Sequence, residues 1–200
     1  MKYCNSILHE LAFFEKKIVP CCTPFHYNAP EYFNIKNGLP ENKGLDTINF
    51  NYMKREFINN LNKNIDEYSC KNCIHLADDD KDIINIVQDC KYNSIYLRHF
   101  TSCNASCVHC DSHRDNNYGI TPQYNPYKII KRAYEENLID SENLVIRFQG
   151  GDIGVLENFS EFVDLFLQYG FKTIHFSTNN IIYQPKIEEI LNFEGGVRVH

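Results

Sequence analysis

Four short runs in the second half of the chain concentrate β-branched and aromatic residues: SIYLRHF (94–100), NLVIRFQ (143–149), KTIHFST (172–178) and GVRVH (196–200). Each predicts a strand. Between them lie three segments with apolar residues at helical spacing: NPYKIIKRAYEENL (125–138), LENFSEFVDLFLQYG (156–170) and QPKIEEILNF (184–193). In the second, Phe159, Phe162, Val163, Leu165 and Phe166 fall on one face, and Gly170 supplies a C-terminal stop. Pro185 stands near the start of the third, where a missing N–H costs nothing. Strands alternating with helices predict βαβ units, an α/β fold and a parallel sheet.

The first half has another texture. Residues 1–66 hold four prolines and few clean periods. FFEKKIVPCC (13–22) reads as a β-hairpin ending in cysteine, a helix is predicted from about residue 51, and DDKDIINIVQDC (79–90) predicts a short second one. A boundary is expected near residues 91–93, dividing a cysteine-containing region (1–92) from an α/β domain (93–200).

A net charge of -6 argues against a nucleic-acid partner. No segment approaches the roughly 18 to 20 apolar residues that span a bilayer. The N-terminus lacks the core of an export signal, because His9, Glu10, Glu15, Lys16 and Lys17 interrupt it. Nine cysteines without such a signal point to a cytoplasmic, reducing setting, where clustered thiols bind metal more often than they pair.

Three of those cysteines, Cys103, Cys107 and Cys110, follow the first predicted strand of the second half with the spacing C-x3-C-x2-C. A disulfide would leave one thiol over. Tetrahedral zinc would need a fourth ligand, which His109 or His113 could supply. A [4Fe–4S] cluster held by three thiolates leaves one iron open to a small molecule. No HExxH, GxSxG, P-loop or GxGxxG pattern competes with these readings, and His99 and His175 lie within predicted strands.

The triplet resembles the signature of the radical S-adenosylmethionine (SAM) enzymes, and the resemblance covers about residues 93–200. In that family the cysteines lie in the loop after the first strand of a partial (β/α)6 barrel. The open iron holds the amino and carboxylate groups of SAM, and one electron cleaves SAM to a 5′-deoxyadenosyl radical that abstracts hydrogen from substrate. FQGGD (148–152) is similar to the family's GGE motif, which implies that Gly150, Gly151 and Asp152 meet the SAM amino group. STNN (177–180) is similar to the family's STNG, which implies a cofactor-facing place for Ser177 and Asn179. His109 stands before the third cysteine, where many members carry an aromatic residue. The resemblance also implies a reductant such as flavodoxin or ferredoxin. It specifies neither the substrate nor a residue that acts on it.

Cys4, Cys21 or Cys22, Cys70 and Cys73 resemble the ligand set of an auxiliary cluster module, SPASM or its shorter twitch form. That module accompanies peptide and sugar modification, although in the family it usually follows the barrel. Structural zinc on the same four cysteines is the competing reading. Cys90 reads as a small buried hydrophobe. Three βα units and the opening of a fourth strand make about half a barrel. The expectation is therefore a fragment of a longer protein or a shortened form that pairs with something. Two other classes remain open: a non-catalytic zinc- or iron–sulfur-binding protein, and an inactive truncated product.

Overall fold

The computed structural model describes residues 2–14, 17–19, 33–34, 49–63, 73, 76–78, 87–105, 107, 125–179, 185–193 and 196–199. Its elements in chain order are β1 (Lys2–Cys4), α1 (Asn5–His9), β2 (Glu10–Phe14), β3 (Lys17–Val19), β4 (Phe33–Asn34), α2 (Phe50–Lys63), β5 (Leu76–Asp78) and β6 (Ser94–Arg98). Then follow α3 (Pro126–Glu135), β7 (Val145–Phe148), a 3-10 turn (Ile153–Val155), α4 (Phe159–Tyr169), β8 (Thr173–Phe176), α5 (Lys186–Leu191) and β9 (Gly196–Val199). Strands β1 and β5 form a small antiparallel pair, and the other seven make one sheet in the order β4-β3-β2-β6-β7-β8-β9.

Strands β6, β7, β8 and β9 run parallel, as the alternating pattern predicts, and β2 adds a fifth parallel strand on the other side of β6. The fold is α/β with a mostly parallel sheet. The hairpin predicted around residues 13–22 is present, with Ala12 opposite Val19 and Phe13 opposite Ile18. The placement of β2 differs from the sequence expectation. Glu10–Phe14 lies inside the 1–92 region yet bonds along its length to Ser94–Arg98, so the main sheet runs across the boundary expected at 91–93. The helix expected from about residue 51 is α2. Of the one expected within 79–90, residues 87–89 are helical and residues 79–86 lie outside the described set.

Local chemistry sets the helix ends. Asn125 caps α3 by accepting the Tyr127 N–H on Oδ1 at 2.9 Å, and Pro126 takes the first helical position. Gly170 ends α4 at φ +89° while its N–H returns to Phe166 O at 2.8 Å.

One face of the parallel sheet is covered by helices. Ile95, Leu97, Ile146, Phe148, Ile174 and Phe176 point into that layer and are buried. Phe148 packs edge-on against Phe159, Phe162 and Phe166 with ring centroids 5.5, 5.8 and 6.3 Å apart. Such buried rings each contribute a few kcal/mol. The opposite face alternates out of phase, as strand geometry requires, and carries Ala12, Val19 and Tyr96 toward its hairpin side. A second core joins the N-terminal elements: Leu8 of α1 packs with Phe57, Ile58 and Leu61 of α2 and with Val87. Beside it Lys54 is fully buried, donating to Cys90 O at 2.8 Å and lying 4.0 Å from the centre of the Tyr92 ring. Strand β9 forms one edge of the sheet, where Val199 stays exposed. No helix among the described residues is long and apolar enough to cross a membrane.

Candidate functional site

Three loops leave the C-terminal ends of β6, β7 and β8, which are hydrogen-bonded neighbours in the sheet. The loop after β6 carries Cys103 and Cys107, the loop after β7 carries Gly150, Gly151 and Asp152, and the segment after β8 carries Ser177 and Asn179. Adjacent parallel strands put such loops side by side at one rim.

The two glycines fit there because no side chain could. A Cβ on Gly151 would stand 1.7 Å from Ser102 O, and one on Gly150 would stand 2.1 Å from Phe100 O. Gly150 also has φ +141°, a backbone that favours glycine. The close approach is fastened by two backbone bonds, Gly151 N–H to Phe100 O at 3.3 Å and Asp152 N–H to Ser102 O at 3.0 Å. The FQGGD loop is thus seated on the backbone that leads directly into Cys103.

Asp152 is only 4% exposed, and its carboxylate turns inward. Oδ1 accepts from Gly154 N at 2.6 Å and from Thr178 Oγ1 at 3.3 Å, and Oδ2 accepts from Asn179 N at 2.6 Å. The resemblance implies that this acid faces a ligand amine. In the structure it ties the loop after β7 to the segment after β8. Asn179 then reaches the first cysteine, its Nδ2 donating to Asn104 Oδ1 at 2.5 Å and to Cys103 Sγ at 3.9 Å. Ala105 N–H also donates to Cys103 Sγ, at 3.5 Å.

The structure therefore brings together Cys103, Gly150, Gly151, Asp152 and Asn179. Cys107 is exposed nearby in the chain, and Ser177 is exposed at the rim. His109, His113 and Cys110 lie outside the described residues, as do Cys21, Cys22 and Cys70 of the second expected set. Of that set, Cys4 ends β1 opposite Leu76, whose N–H donates to Cys73 O at 3.1 Å. Cys90 is partly buried against the Leu8 and Phe57 cluster, and burial pushes its thiol pKa up, as suits a small hydrophobe. Among the described residues no group of three or more Cys, His, Asp or Glu converges as a metal site. Two of the three triplet cysteines belong to the described residues, and the donors around Cys103 fit a thiolate-bound metal group.

His99 is buried in the helix layer against Phe100 and Phe162, with centroids 5.3 and 5.9 Å away. Burial lowers its pKa to about 3, so it is a neutral core residue at ordinary pH.

The sequence reading missed a row of side chains on the opposite sheet face. Tyr96 is registered with Arg147, Arg147 with His175, and His175 with Arg198. The signal was present in the strands, each of the last three holding one polar, nitrogen-bearing residue between apolar neighbours: I-R-F, I-H-F and V-R-V.

Comparison of the chain with protein-family models, with curated proteins and with solved structures gives no match.

Proposed function

We propose that this chain is a radical SAM enzyme, or the N-terminal part of one, that holds a [4Fe–4S] cluster through Cys103, Cys107 and Cys110. One observation carries the reading. The glycine pair of FQGGD rests on the backbone of Phe100–Ser102, and Asn179 of STNN reaches the Sγ of Cys103. Three separate sequence resemblances thus meet at the first cysteine, on the strand-end rim where parallel α/β folds build ligand sites.

A cluster there would supply the electron, received from a flavodoxin- or ferredoxin-type donor, that cleaves SAM to methionine and the 5′-deoxyadenosyl radical. The chain's own residues do the positioning. Gly150 and Gly151 hold the loop after β7 against the cysteine loop, with room for backbone to approach a ligand. Asp152 fixes the Asn179 backbone, and Asn179 and Ala105 direct N–H groups at the Cys103 sulfur. Ser177, exposed on the same rim, is a candidate contact for a bound molecule. The substrate from which hydrogen would be taken is open.

Anaerobic reconstitution with iron and sulfide tests the reading. Uptake of about four irons, lost on substitution of Cys103, Cys107 or Cys110, is expected. So are a cluster spectrum altered by SAM and formation of 5′-deoxyadenosine under reduction. Stoichiometric zinc with no response to SAM would sink the proposal in favour of a structural thiolate site.

A further inference from the structure

We infer that Asn179 is a positioning residue that tunes the metal group on Cys103, raising the reduction potential of the proposed cluster; the step rests on the cluster reading and deepens it. The resemblance gives Asn179 a place facing SAM, but its side chain has other partners in the structure. Nδ2 lies 3.9 Å from Cys103 Sγ and donates at 2.5 Å to Asn104 Oδ1. An amide nitrogen carries two hydrogens, so one serves the neighbouring oxygen while the other is directed at the sulfur. Ala105 N–H brings a second donor to the same sulfur, at 3.5 Å.

The amide is held from two sides. Asp152 Oδ2 accepts the Asn179 backbone N–H at 2.6 Å, which fixes where the residue stands after β8. Asn104, between the first two cysteines of the triplet, fixes where its side chain points. Asp152 is itself seated by its own N–H on Ser102 O at 3.0 Å, just before Cys103. The amide, its two anchors and the sulfur thus form one closed circuit of contacts through all three rim loops. Asn179 is exposed, yet its side chain is tied at both ends, and its N–H is aimed before any metal arrives.

The electronic consequence follows from charge. A [4Fe–4S] group gains one negative charge on reduction, and part of it falls on the thiolate sulfurs. A donor at such a sulfur favours the more negative state, and hydrogen bonds to the sulfurs are among the levers that set cluster potentials. Two donors on one of the three thiolates make the reduced state easier to reach from a ferredoxin-type reductant and lower its driving force toward SAM.

A redox titration of the reconstituted full chain without SAM, followed by electron paramagnetic resonance, tests the assignment. Asn179→Leu keeps the shape of the side chain and removes its N–H groups. At the wild-type midpoint its ratio of reduced to oxidised cluster is expected to fall about tenfold, a shift of about 59 mV to lower potential for one electron. Asn179→Asp, which puts acceptors and a charge in place of the donor, should fall at least as far. Lys131→Gln, an exposed site in the helix layer, should titrate as wild type. A Leu or Asp variant that binds about four irons and falls less than threefold overturns the inference and leaves the cluster reading intact. Loss of iron from the Leu variant overturns it too, because Asn179 would then support the loop rather than tune the sulfur. A wild-type chain that takes up no iron refutes the cluster reading and the inference with it, so the two failures are told apart by iron content.

Discussion

The carboxylate of Asp152 accepts the backbone N–H of Asn179 at 2.6 Å, across a gap of 27 residues, while its other oxygen caps Gly154 at the same distance. A buried acid satisfied by two backbone donors works as a joint between loops. Removing it leaves both N–H groups without this acceptor, and that of Gly154 lies in a buried position.

Asp152→Ala is expected to destabilise the fold by about 2 kcal/mol, chiefly the cost of leaving the buried Gly154 N–H unpaired. Asp152→Asn should cost less, since one oxygen remains to accept. Urea unfolding of both variants measures the difference. A cost below about 0.5 kcal/mol for the alanine variant would show that the joint does not constrain the loops.

The glycine pair yields a sharper contrast. Gly151→Ala drives a methyl into Ser102 O, and Gly150→Ala meets Phe100 O at a positive φ. Both should lose at least the 1–3 kcal/mol typical of overpacking, roughly, and pull the cysteine loop off its seat. Gly170→Ala, whose nearest contact is Ser141 Cβ at 3.6 Å, has space but keeps the strain of φ +89°. Melting temperatures of the three variants, with iron content after reconstitution, separate clash from strain. Iron uptake is expected to fall for Gly150 and Gly151 and to hold for Gly170.

His99 makes the fold acid-sensitive. Its pKa is about 3 when buried and near 6.5 in the unfolded chain, so the unfolded state binds the extra proton between those values. Stability from this site is complete above pH 6.5 and drains away as the pH falls toward 3, with a slope approaching about 1.4 kcal/mol per pH unit. His99→Phe should flatten that part of the curve in a comparison of unfolding free energies from pH 7 to pH 4.

Lys54 acts at the other end of the scale. Desolvation, the larger influence, lowers its pKa from 10.5 to about 8, while the neighbouring Cys90 thiol works the other way. The unfolded chain holds the proton up to about 10.5, so stability from this site rises as pH climbs from 8 to 10.5. Below pH 8 the folded protein carries the buried charge, eased by Cys90 O and the Tyr92 ring. Lys54→Met is expected to match or exceed wild-type stability at pH 7 and to lose the alkaline rise relative to wild type.

Much of the second half was legible because each strand and helix there has a complete local signature. The apolar face of 156–170 names the residues that surround Phe148, and Gly170 marks the end of α4. The parallel pairing of the strand Glu10–Phe14 escaped because nothing local shows that partner. Its run is short, His9 and Glu10 interrupt it, and its pairing with Ser94–Arg98 depends on residues far away in sequence. At the site, the spacing of the cysteines and the adjacent glycines could be read directly. The inward turn of Asp152 could not, since it follows from the meeting of two loops. The row of Arg147, His175 and Arg198 was written in the strands, but only their register, which depends on residues far apart in sequence, shows that they share a face.

Strand β2 is an interior strand of the seven-stranded sheet, third in order, with the hairpin partner β3 on one side and β6 on the other. Its parallel neighbour is about eighty residues further along the chain. During synthesis β2 can close its hairpin with β3 at once, yet its other edge must wait until the segment around Ser94 has emerged. Long-range parallel pairing carries a large loop-closure cost and folds slowly. The step that joins the two halves of this sheet is thus a late one, and until it occurs β2 leaves an open edge for which other chains can compete.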